Sequence, residues 1–361
     1  MSSQMGNSLR FSLFGESHGA GVGVLMEGLP AGVRLDQEAI AAFLKRRSPG
    51  FRPGTSARVE ADTYLLQSGV YQGVTTGAPL VAFFPNSDVR SQDYEAFRHT
   101  PRPSHADYPA MLRYDGFNDL RGGGHFSARL TAPWCFAGAL ALQILAEKGV
   151  VIGSHIAQVG SLKDEGFDPV TVSKEQLKEL SKELLPLVCK EFRQTMLNAV
   201  SQVAAEGDSL GGIIEAAAVG FPGGFGNPIF ENLESRLAYA LFAIPGVRGV
   251  EFGSGFQATQ MLGSQHNDPW VFQENQVKTK TNHHGGVLGG ISTGMPILLR
   301  VAFKPTASIA KEQKTLDLQE HKTATLQIMG RHDPCITLRA APVVEAAMAL
   351  VLLDVILEGG R

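Results

Sequence analysis

Five polar, glycine-rich parts of the sequence carry the side chains that could do chemistry, because each combines imidazole, guanidinium, ammonium or hydroxyl groups. Glycine-rich turns can present such side chains together. Imidazoles exchange protons near neutral pH, and guanidinium groups bind carboxylates and phosphates through paired hydrogen bonds. The set predicts an enzyme that acts on a small polyanion by proton transfer and electrostatics. The five parts are 14–19 (FGESHG), 45–58, 100–129, 264–268 with 282–294, and 304–308 with 330–335.

The second part is strongly basic although the whole chain has a net charge of −3. A multiply anionic small ligand fits it, since arginine binds carboxylate and phosphate in a bidentate manner. A solvated basic loop and an RNA-contacting loop are the alternatives, and the scarcity of aromatic side chains argues against RNA. Its five cations are Lys45, Arg46, Arg47, Arg52 and Arg58.

The third part places His105 after a proline-stiffened turn, and a run of three glycines at 122–124 precedes His125, Ser127 and Arg129. Three consecutive glycines let backbone N–H groups approach an anion closely. The pattern is neither GxGxxG nor a P-loop, so it does not indicate a dinucleotide-binding fold. A flexible glycine loop is the alternative.

The remaining polar segments are individually less specific. FGESHG is compatible with a capped surface turn. KPTAS (304–308) offers one cation and two hydroxyls, which suits a phosphate. In GRHDPC the neighbouring Arg331 would keep Asp333 ionised, so that this carboxylate could orient or deprotonate a group. An Arg–Asp pair that only fixes the turn is the alternative.

The histidines and cysteines do not predict a metal site. His283 and His284 are adjacent, so their side chains diverge in a helix or a strand, and no HExxH pattern is present. The three cysteines, Cys135, Cys189 and Cys335, form no CxxC pair. We therefore expect no resident metal ion and no disulfide framework.

Helices and strands must position these segments, and several are indicated by caps and periodicity. Asp36 predicts a helix to about Arg47, and Ser173 with Gln176 forms a capping-box pattern ahead of another. Further helices are predicted at 133–149, 191–205 and 342–357, and strands at 22–26, 64–70, 80–84, 150–159, 213–219 and 297–303, with a hairpin within 68–79.

An internal sequence repeat indicates a duplicated α+β architecture. GLPAG (28–32) and GFPGG (220–224) each follow an apolar strand and precede a helix. No Pro/Ser-rich linker separates the halves, so a single domain over 1–361 is expected. The sequence shows neither a secretion signal nor an uninterrupted membrane-spanning stretch, which favours a cytoplasmic protein.

In order and spacing, FGESHG, RSQDY, RPSHADY, RGGG…SAR, NHHGGVLGGIS, KPTAS and GRHDPC resemble the motifs of the chorismate synthase family, from about Phe14 to Leu357. The resemblance implies conversion of 5-enolpyruvylshikimate 3-phosphate to chorismate by 1,4-anti elimination of phosphate. It implies reduced FMN without net redox change, with NADPH as a candidate reductant. It also implies a four-layer sandwich of helices between antiparallel sheets, assembled as a homotetramer.

The resemblance also implies roles for individual residues. His18 would be the acid that assists phosphate departure, His105 would protonate the reduced flavin, and Asp333 would relay the substrate proton through the flavin N5. The substrate would be bound by Arg46, Arg47, Arg52, Arg58, Arg102 and Arg129. The flavin would be bound by His125, Phe126, Ser127, Gly289, Lys304, Pro305, Thr306, Ala307, Ser308 and Arg331.

Two positions depart from the family pattern. His125 stands where the family usually has arginine, and Leu130 stands where it usually has glutamate. A cation at position 125 would therefore depend on pH. Arg52 also lies one place from the arginine that the family tends to have. A scaffold that binds flavin but has lost the elimination is the alternative function.

Overall fold

The computed structural model describes residues 3–50, 62–87, 94, 97–273, 275–328 and 333–359. The helices are α1 (Gln37–Arg47), α2 (Asp107–Arg113), α3 (Thr131–Glu147), α4 (Lys174–Lys182), α5 (Arg193–Ala205), α6 (Leu233–Ala243), α7 (Gly263–His266) and α8 (Ala341–Glu358). The strands are β1 (Gln4–Met5), β2 (Arg10–Gly15), β3 (Gly21–Glu27), β4 (Leu65–Ser68), β5 (Val70–Tyr71), β6 (Val74–Thr75), β7 (Leu80–Pro85), β8 (Val151–Val159), β9 (Leu162–Lys163), β10 (Gly212–Val219), β11 (Val247–Phe252), β12 (Trp270–Gln273), β13 (Gln276–Thr279), β14 (Val287–Leu288), β15 (Ile291–Ser292), β16 (Ile297–Phe303), β17 (Gln313–Asp317) and β18 (Lys322–Leu326).

Two five-stranded antiparallel sheets form the outer layers, in the orders β1-β2-β3-β7-β4 and β11-β16-β10-β8-β9. In the first sheet Val24 lies opposite Ala82, and in the second Ile214 lies opposite Val301. These four side chains are buried. Each central strand is apolar because one face of its sheet packs on helices.

Helices fill the space between the sheets. Helix α3 packs on the first sheet with α1 beside it, α8 packs on the second sheet with α6 beside it, and α3 lies against α8. A methyl group at Gly138 would lie only 2.2 Å from the Cβ of Ala346, so α3 and α8 approach at backbone distance. The predicted four-layer α+β sandwich is confirmed. One hydrophobic cluster contains residues of both halves, which supports our proposal that 1–361 is a single domain.

The predicted duplication is visible in the topology. Strands β2, β3, β7 and β4 are neighbours in the same pattern as β8, β10, β16 and β11. Strands β3 and β10 are each followed by a GxPxG segment and then by a helix, α1 or α6. Strands β7 and β16 are followed later in the chain by α3 and α8, the two helices that meet at the centre of the molecule. Gly28 and Gly220 open these segments at φ of 84° and 86°, a conformation that favours glycine.

The predicted helix caps are confirmed, and the predicted helices and strands are found with small shifts in their bounds. The Asp36 carboxylate accepts a hydrogen bond from the Ala39 N–H (2.9 Å), and the Ser173 hydroxyl accepts one from the Gln176 N–H (3.1 Å). Helix α3 begins two residues before Pro133, because proline is tolerated in the first turn. The predicted strand 64–70 is divided at Gly69, whose φ is 82°. The predicted hairpin is the β5–β6 pair.

The segment 128–147, which includes α3, is long and apolar enough to cross a membrane by length and composition. However, 78% of its most apolar window is buried inside the protein. A helix that is apolar all round and enclosed on all sides is a core helix, and α3 occupies that position between the first sheet and α8.

A buried histidine makes stability depend on pH. The His155 Nε2 lies 2.8 Å from Glu215, and its Nδ1 makes an ion-pair contact of 3.3 Å with Asp164. Burial alone would lower the pKa of His155, but the two carboxylates outweigh burial and raise it. The protonated ring therefore stabilises the fold fully below the unfolded pKa of about 6.5. This contribution is lost as pH rises through the higher pKa of the folded state.

We expect the free energy of unfolding, measured by urea denaturation, to fall as pH is raised above about 6.5. The His155→Gln variant should be less stable and should lose this part of the pH dependence, since glutamine does not titrate. An unchanged pH dependence in the variant would assign the effect to another group.

Candidate active site

His18 lies in the turn between β2 and β3 and is 7% exposed. The Nδ1 of its ring is 3.2 Å from the Ser17 hydroxyl, and the Tyr94 ring meets it edge-on with centroids 4.9 Å apart. The Ser17 N–H donates to the Gly124 carbonyl oxygen (3.1 Å), which joins this turn to the triple glycine. The imidazole is thus enclosed between an aromatic ring and a glycine loop.

The triple glycine lies between the two imidazoles expected to be catalytic. Gly122 and Gly123 have φ values of 61° and 92°. A Cβ on Gly122 would lie 2.2 Å from the Cε1 and Nδ1 of His18. A Cβ on Gly123 would lie 3.4 Å from the Cε1 and 3.5 Å from the Nε2 of His105. Close approach therefore requires glycine at position 122, and the positive φ favours it at position 123. The loop brings together two histidines that are distant in sequence.

The His105 ring is oriented by a buried carboxylate. Its Nδ1 lies 2.7 Å from Asp107 Oδ1, and Arg102 donates two further bonds of 2.7 Å to the same carboxylate. Burial would raise the pKa of Asp107, but hydrogen bonds from Arg102 and His105 outweigh it and hold this pKa well below its usual range. An ionised carboxylate keeps the proton on Nδ1 and turns Nε2 towards Gly123. Asp107 belongs to the RPSHADY motif, but sequence analysis alone assigns no role to it.

Arg47 and Arg129 meet at a second buried carboxylate. Asp62 accepts from Arg47 Nε (2.7 Å) and NH2 (2.6 Å), and from Arg129 NH1 (2.6 Å). Burial would raise the pKa of Asp62, but the two guanidinium groups and the Ser48 hydroxyl outweigh it and lower this pKa. Two guanidinium groups from different parts of the chain thus meet at one buried carboxylate. Sequence reasoning missed Asp62 because nothing in its spacing marks it.

Arg46 has a different environment from its neighbour Arg47. Its NH1 and NH2 donate bonds of 2.6 and 2.8 Å to Glu345 on α8, whose carboxylate also accepts from the Ser154 hydroxyl (2.7 Å). Arg46 and Glu345 are 4% and 1% exposed. The expected substrate contact by Arg46 has no support in this geometry, because its terminal nitrogens are used inside the core.

We expect Arg46→Met to lower the free energy of unfolding by about 3–5 kcal/mol, because the Glu345 carboxylate would remain buried without a compensating cation. The KM of the folded fraction should stay unchanged. Denaturation and steady-state kinetics measure the two quantities. The double variant Arg46→Met/Glu345→Met should recover stability, since two apolar side chains replace the pair. A rise in KM with stability retained would restore Arg46 to the substrate site.

The KPTAS loop follows β16 and contacts the segment that carries His105. Lys304 donates to the Ser104 carbonyl oxygen (3.3 Å), and the Ser308 hydroxyl accepts from Arg102 (3.4 Å). Burial lowers the pKa of Lys304, and the Arg248 charge lowers it further. Pro305 and Ala307 lie within the same loop. Lys304–Ser308 and Arg102 are therefore brought beside His105.

Asp333 lies against the same loop. Its carbonyl oxygen accepts from the Thr306 hydroxyl (2.8 Å), and its carboxylate forms a 3.5 Å ion pair with Arg339. The structure therefore places Asp333 next to the expected flavin contacts. Three other expected site residues, Arg52, Arg58 and Arg331, lie outside the described residues.

His125, Phe126 and Ser127 line a cavity of about 850 Å³ next to the triple glycine. Trp134 and Asn118 also line this cavity, and the indole N–H of Trp134 and the side-chain oxygen of Asn118 are buried without a partner among the described residues. A buried donor and a buried acceptor without partners fit a planar ligand that carries both kinds of group. A flavin ring has this chemistry.

His125 is tied to the backbone around the cavity. Its Nδ1 lies 3.0 Å from the Gly15 carbonyl oxygen, which requires a proton on Nδ1, and its Nε2 is 2.9 Å from the Ser3 hydroxyl. Both ring nitrogens therefore have protein partners. A neutral ring satisfies both contacts, so position 125 does not require the permanent charge that an arginine would bring.

Gly289 is not brought together with these residues. It lies in the β14–β15 hairpin, which attaches near Pro296 at the start of β16, whereas Lys304 follows the end of that strand. At about 3.3 Å per residue, the seven residues of β16 span roughly 20 Å. Gly289 and Lys304 therefore lie near opposite ends of β16.

The histidine-rich part of the chain forms a separate cluster. His284 Nδ1 lies 2.9 Å from Asp268, His283 Nδ1 lies 3.1 Å from the Ser254 hydroxyl, and the His266 ring stacks on that of His283 at 5.6 Å. Within the described ranges, no group of three or more His, Cys, Asp or Glu side chains has metal-holding geometry. The expectation of no resident metal stays a prediction.

Comparisons with known proteins cover nearly the whole chain. The family model of chorismate synthase matches residues 9–357. A chorismate synthase of Korarchaeum cryptofilum is 45% identical over 367 residues, covering 99% of this chain and 98% of the relative. One of Pyrococcus abyssi is 46% identical over 351 residues, covering 97% and 96%. A crystal structure of chorismate synthase superposes with a TM-score of 0.77 at 30% identity, covering 98% of this chain and 93% of that chain.

Proposed function

The chain belongs to the chorismate synthase family, whose members are lyases, and we propose that it converts 5-enolpyruvylshikimate 3-phosphate to chorismate and phosphate. The reaction is a 1,4-anti elimination that uses reduced FMN without net redox change. The observation that carries this proposal is the position of His18 and His105 on either side of the Gly122–Gly123 backbone, beside buried arginines.

The substrate carries three anionic groups, and the buried cations fit them. Arg47 and Arg129 meet at Asp62, and guanidinium groups bind a phosphate or a carboxylate through paired hydrogen bonds. Arg102 is the third arginine of the site, oriented by Asp107. The enclosed imidazole of His18 donates a proton to the departing phosphate.

The described residues fit the flavin that the family implies. Pro245 is one of the residues that line the cavity at His125–Ser127, and the next residue, Gly246, accepts a hydrogen bond from the Lys304 N–H (2.9 Å). The cavity therefore adjoins the KPTAS loop, whose cation and hydroxyls suit the FMN phosphate. When bound, reduced FMN supplies the electron density that assists C–O cleavage. With its Nδ1–H directed at Asp107, His105 in its doubly protonated form carries at Nε2 the proton that the flavin would receive, and Asp333 would accept the proton that the substrate loses.

A homotetramer accounts for the position of Gly289. Because this residue lies at the far end of β16 from Lys304, a second copy of the chain would supply it to the flavin site. Large apolar side chains are exposed around that end, including Phe230 (89%), Phe256 (79%) and Phe272 (85%), and an interface would cover them. We place the enzyme in the cytoplasm, with NADPH as the candidate source of electrons for the flavin.

The test is an anaerobic assay with 5-enolpyruvylshikimate 3-phosphate and chemically reduced FMN, in which chorismate and phosphate are measured together. Equal amounts of both products are expected. Repeating the assay with oxidised FMN and NADPH determines whether the chain reduces its own flavin. FMN binding without phosphate release at neutral and mildly acidic pH would contradict the proposal and favour a scaffold that has lost the elimination.

A further inference from the structure

Asn86 follows β7 and contacts both the turn that carries His18 and the guanidinium group of Arg129. Its side-chain N–H₂ donates to the carbonyl oxygens of Glu16 and Gly19, each at 3.0 Å. Its side-chain oxygen accepts from Arg129 Nε at 3.1 Å. Carbonyl oxygens only accept and guanidinium nitrogens only donate, so these partners fix the orientation of the amide.

The two carbonyl groups that Asn86 binds bracket Ser17 and His18. The Gly19 N–H also donates to the Glu16 carbonyl oxygen (3.2 Å), which closes the turn on itself. The amide therefore holds both ends of the turn from outside. Aspartate could not donate these two bonds, and a serine hydroxyl has only one proton to donate.

The other side of Asn86 fixes the arginine. Arg129 NH2 donates to the carbonyl oxygen of Pro85, the residue before Asn86 (3.3 Å), and Arg129 NH1 donates to Asp62 (2.6 Å). The end of β7 thus holds the guanidinium group through one backbone and one side-chain oxygen. A single residue links Arg129 to the His18 turn through three hydrogen bonds.

We propose that Asn86 is a positioning residue that sets the distance between His18 and Arg129. This inference rests on the proposed function. Departure of phosphate needs a cation at its oxygens and an acid at its bridging oxygen in a fixed relation, and a displacement of about 1 Å can cost about a hundredfold in rate. Asn86 acts through His18 and Arg129 and touches neither substrate nor flavin.

The test uses Asn86→Leu, which removes all three bonds with little change in volume. Its matched control is Thr75→Val, because the Thr75 hydroxyl also bridges a turn, between the Pro30 carbonyl oxygen (2.6 Å) and the Val33 N–H (2.9 Å), away from the site. We expect Asn86→Leu to lower kcat between tenfold and a hundredfold, and Thr75→Val to lower only thermal stability. A loss of stability in both variants with kcat unchanged in both would reduce Asn86 to a structural role.

A double-mutant cycle with His18→Ala separates positioning from general damage. If Asn86 acts through His18, Asn86→Leu should cost less than about twofold in the His18→Ala background, since coupled residues are not additive. The same fold loss in both backgrounds would overturn the proposal.

A spectroscopic readout makes the test independent of turnover. With 13C at the Cε1 of the ten histidines, the His18 resonance is assigned by its absence in His18→Ala. Its chemical shift and its pH midpoint should change in Asn86→Leu and stay fixed in Thr75→Val. An unchanged resonance contradicts the positioning role, even in a chain that forms no chorismate. Absence of chorismate from the unmodified chain would count only against the proposed function.

Discussion

Replacing His105 with alanine should lower chorismate formation at least a hundredfold while FMN binding stays largely intact. General acid–base catalysis by a positioned side chain contributes about 10²–10⁴ in rate. The His105 ring faces Gly123 through Cε1 and Nε2, and its other nitrogen is held by Asp107. Single-turnover kinetics with reduced FMN measure the rate, and quenching of flavin fluorescence measures binding.

The exposed His321, on the turn between β17 and β18, is the matched control, and His321→Ala should leave both quantities unchanged. Asp107→Asn should also slow the reaction, because an amide can donate to the ring and select the wrong tautomer. Full turnover in His105→Ala would remove His105 from the mechanism. A parallel loss of FMN binding would make its role one of holding the flavin.

The second large effect is expected from Gly122→Ala. The added methyl group would lie 2.2 Å from two atoms of the His18 ring, a distance that non-bonded atoms do not tolerate. The ring or the loop must move, and we expect kcat to fall about a hundredfold for a displacement near 1 Å. Steady-state kinetics measure the loss, and the 13C resonance of His18 reports the displacement.

Gly116→Ala is the control that separates the clash from backbone strain. Gly116 has a φ of 79° and Gly122 a φ of 61°, so alanine is strained at both positions. At Gly116 nothing lies within 4 Å of the added methyl group. We expect Gly116→Ala to cost stability only. Equal kinetic losses in the two variants would show that the methyl–imidazole contact is not the cause.

Local signals in the sequence identified the elements that hold the site. The caps Asp36 and Ser173 are local patterns, and they mark helix starts because an unpaired backbone N–H needs an acceptor within three residues. The paired GxPxG segments predicted the duplication for a similar reason, since a glycine with positive φ must end each strand. The motif segments also carry His18 and His105, the two histidines that the structure brings to the triple glycine.

The charge pairs could not be predicted, because they join residues that are distant in sequence. Arg46 and Arg47 are neighbours, but one faces Glu345 in the core and the other faces Asp62 at the site. A glutamate inside an otherwise apolar helix does indicate that a buried partner exists. Which arginine supplies it depends on how α1 packs against α8, and the spacing of residues does not contain that information.

Helix α8 also governs when the chain can fold during its synthesis. Its Asp354 accepts hydrogen bonds from the backbone of residues 7–9, and its Glu345 binds Arg46. Every other element described here leaves the ribosome before α8. Until α8 emerges, the backbone N–H groups of residues 7–9 and the Arg46 guanidinium group lack their acceptors. Helix α3 then also exposes the face that Ala346 covers. We therefore expect the nascent chain to stay open until α8 has emerged.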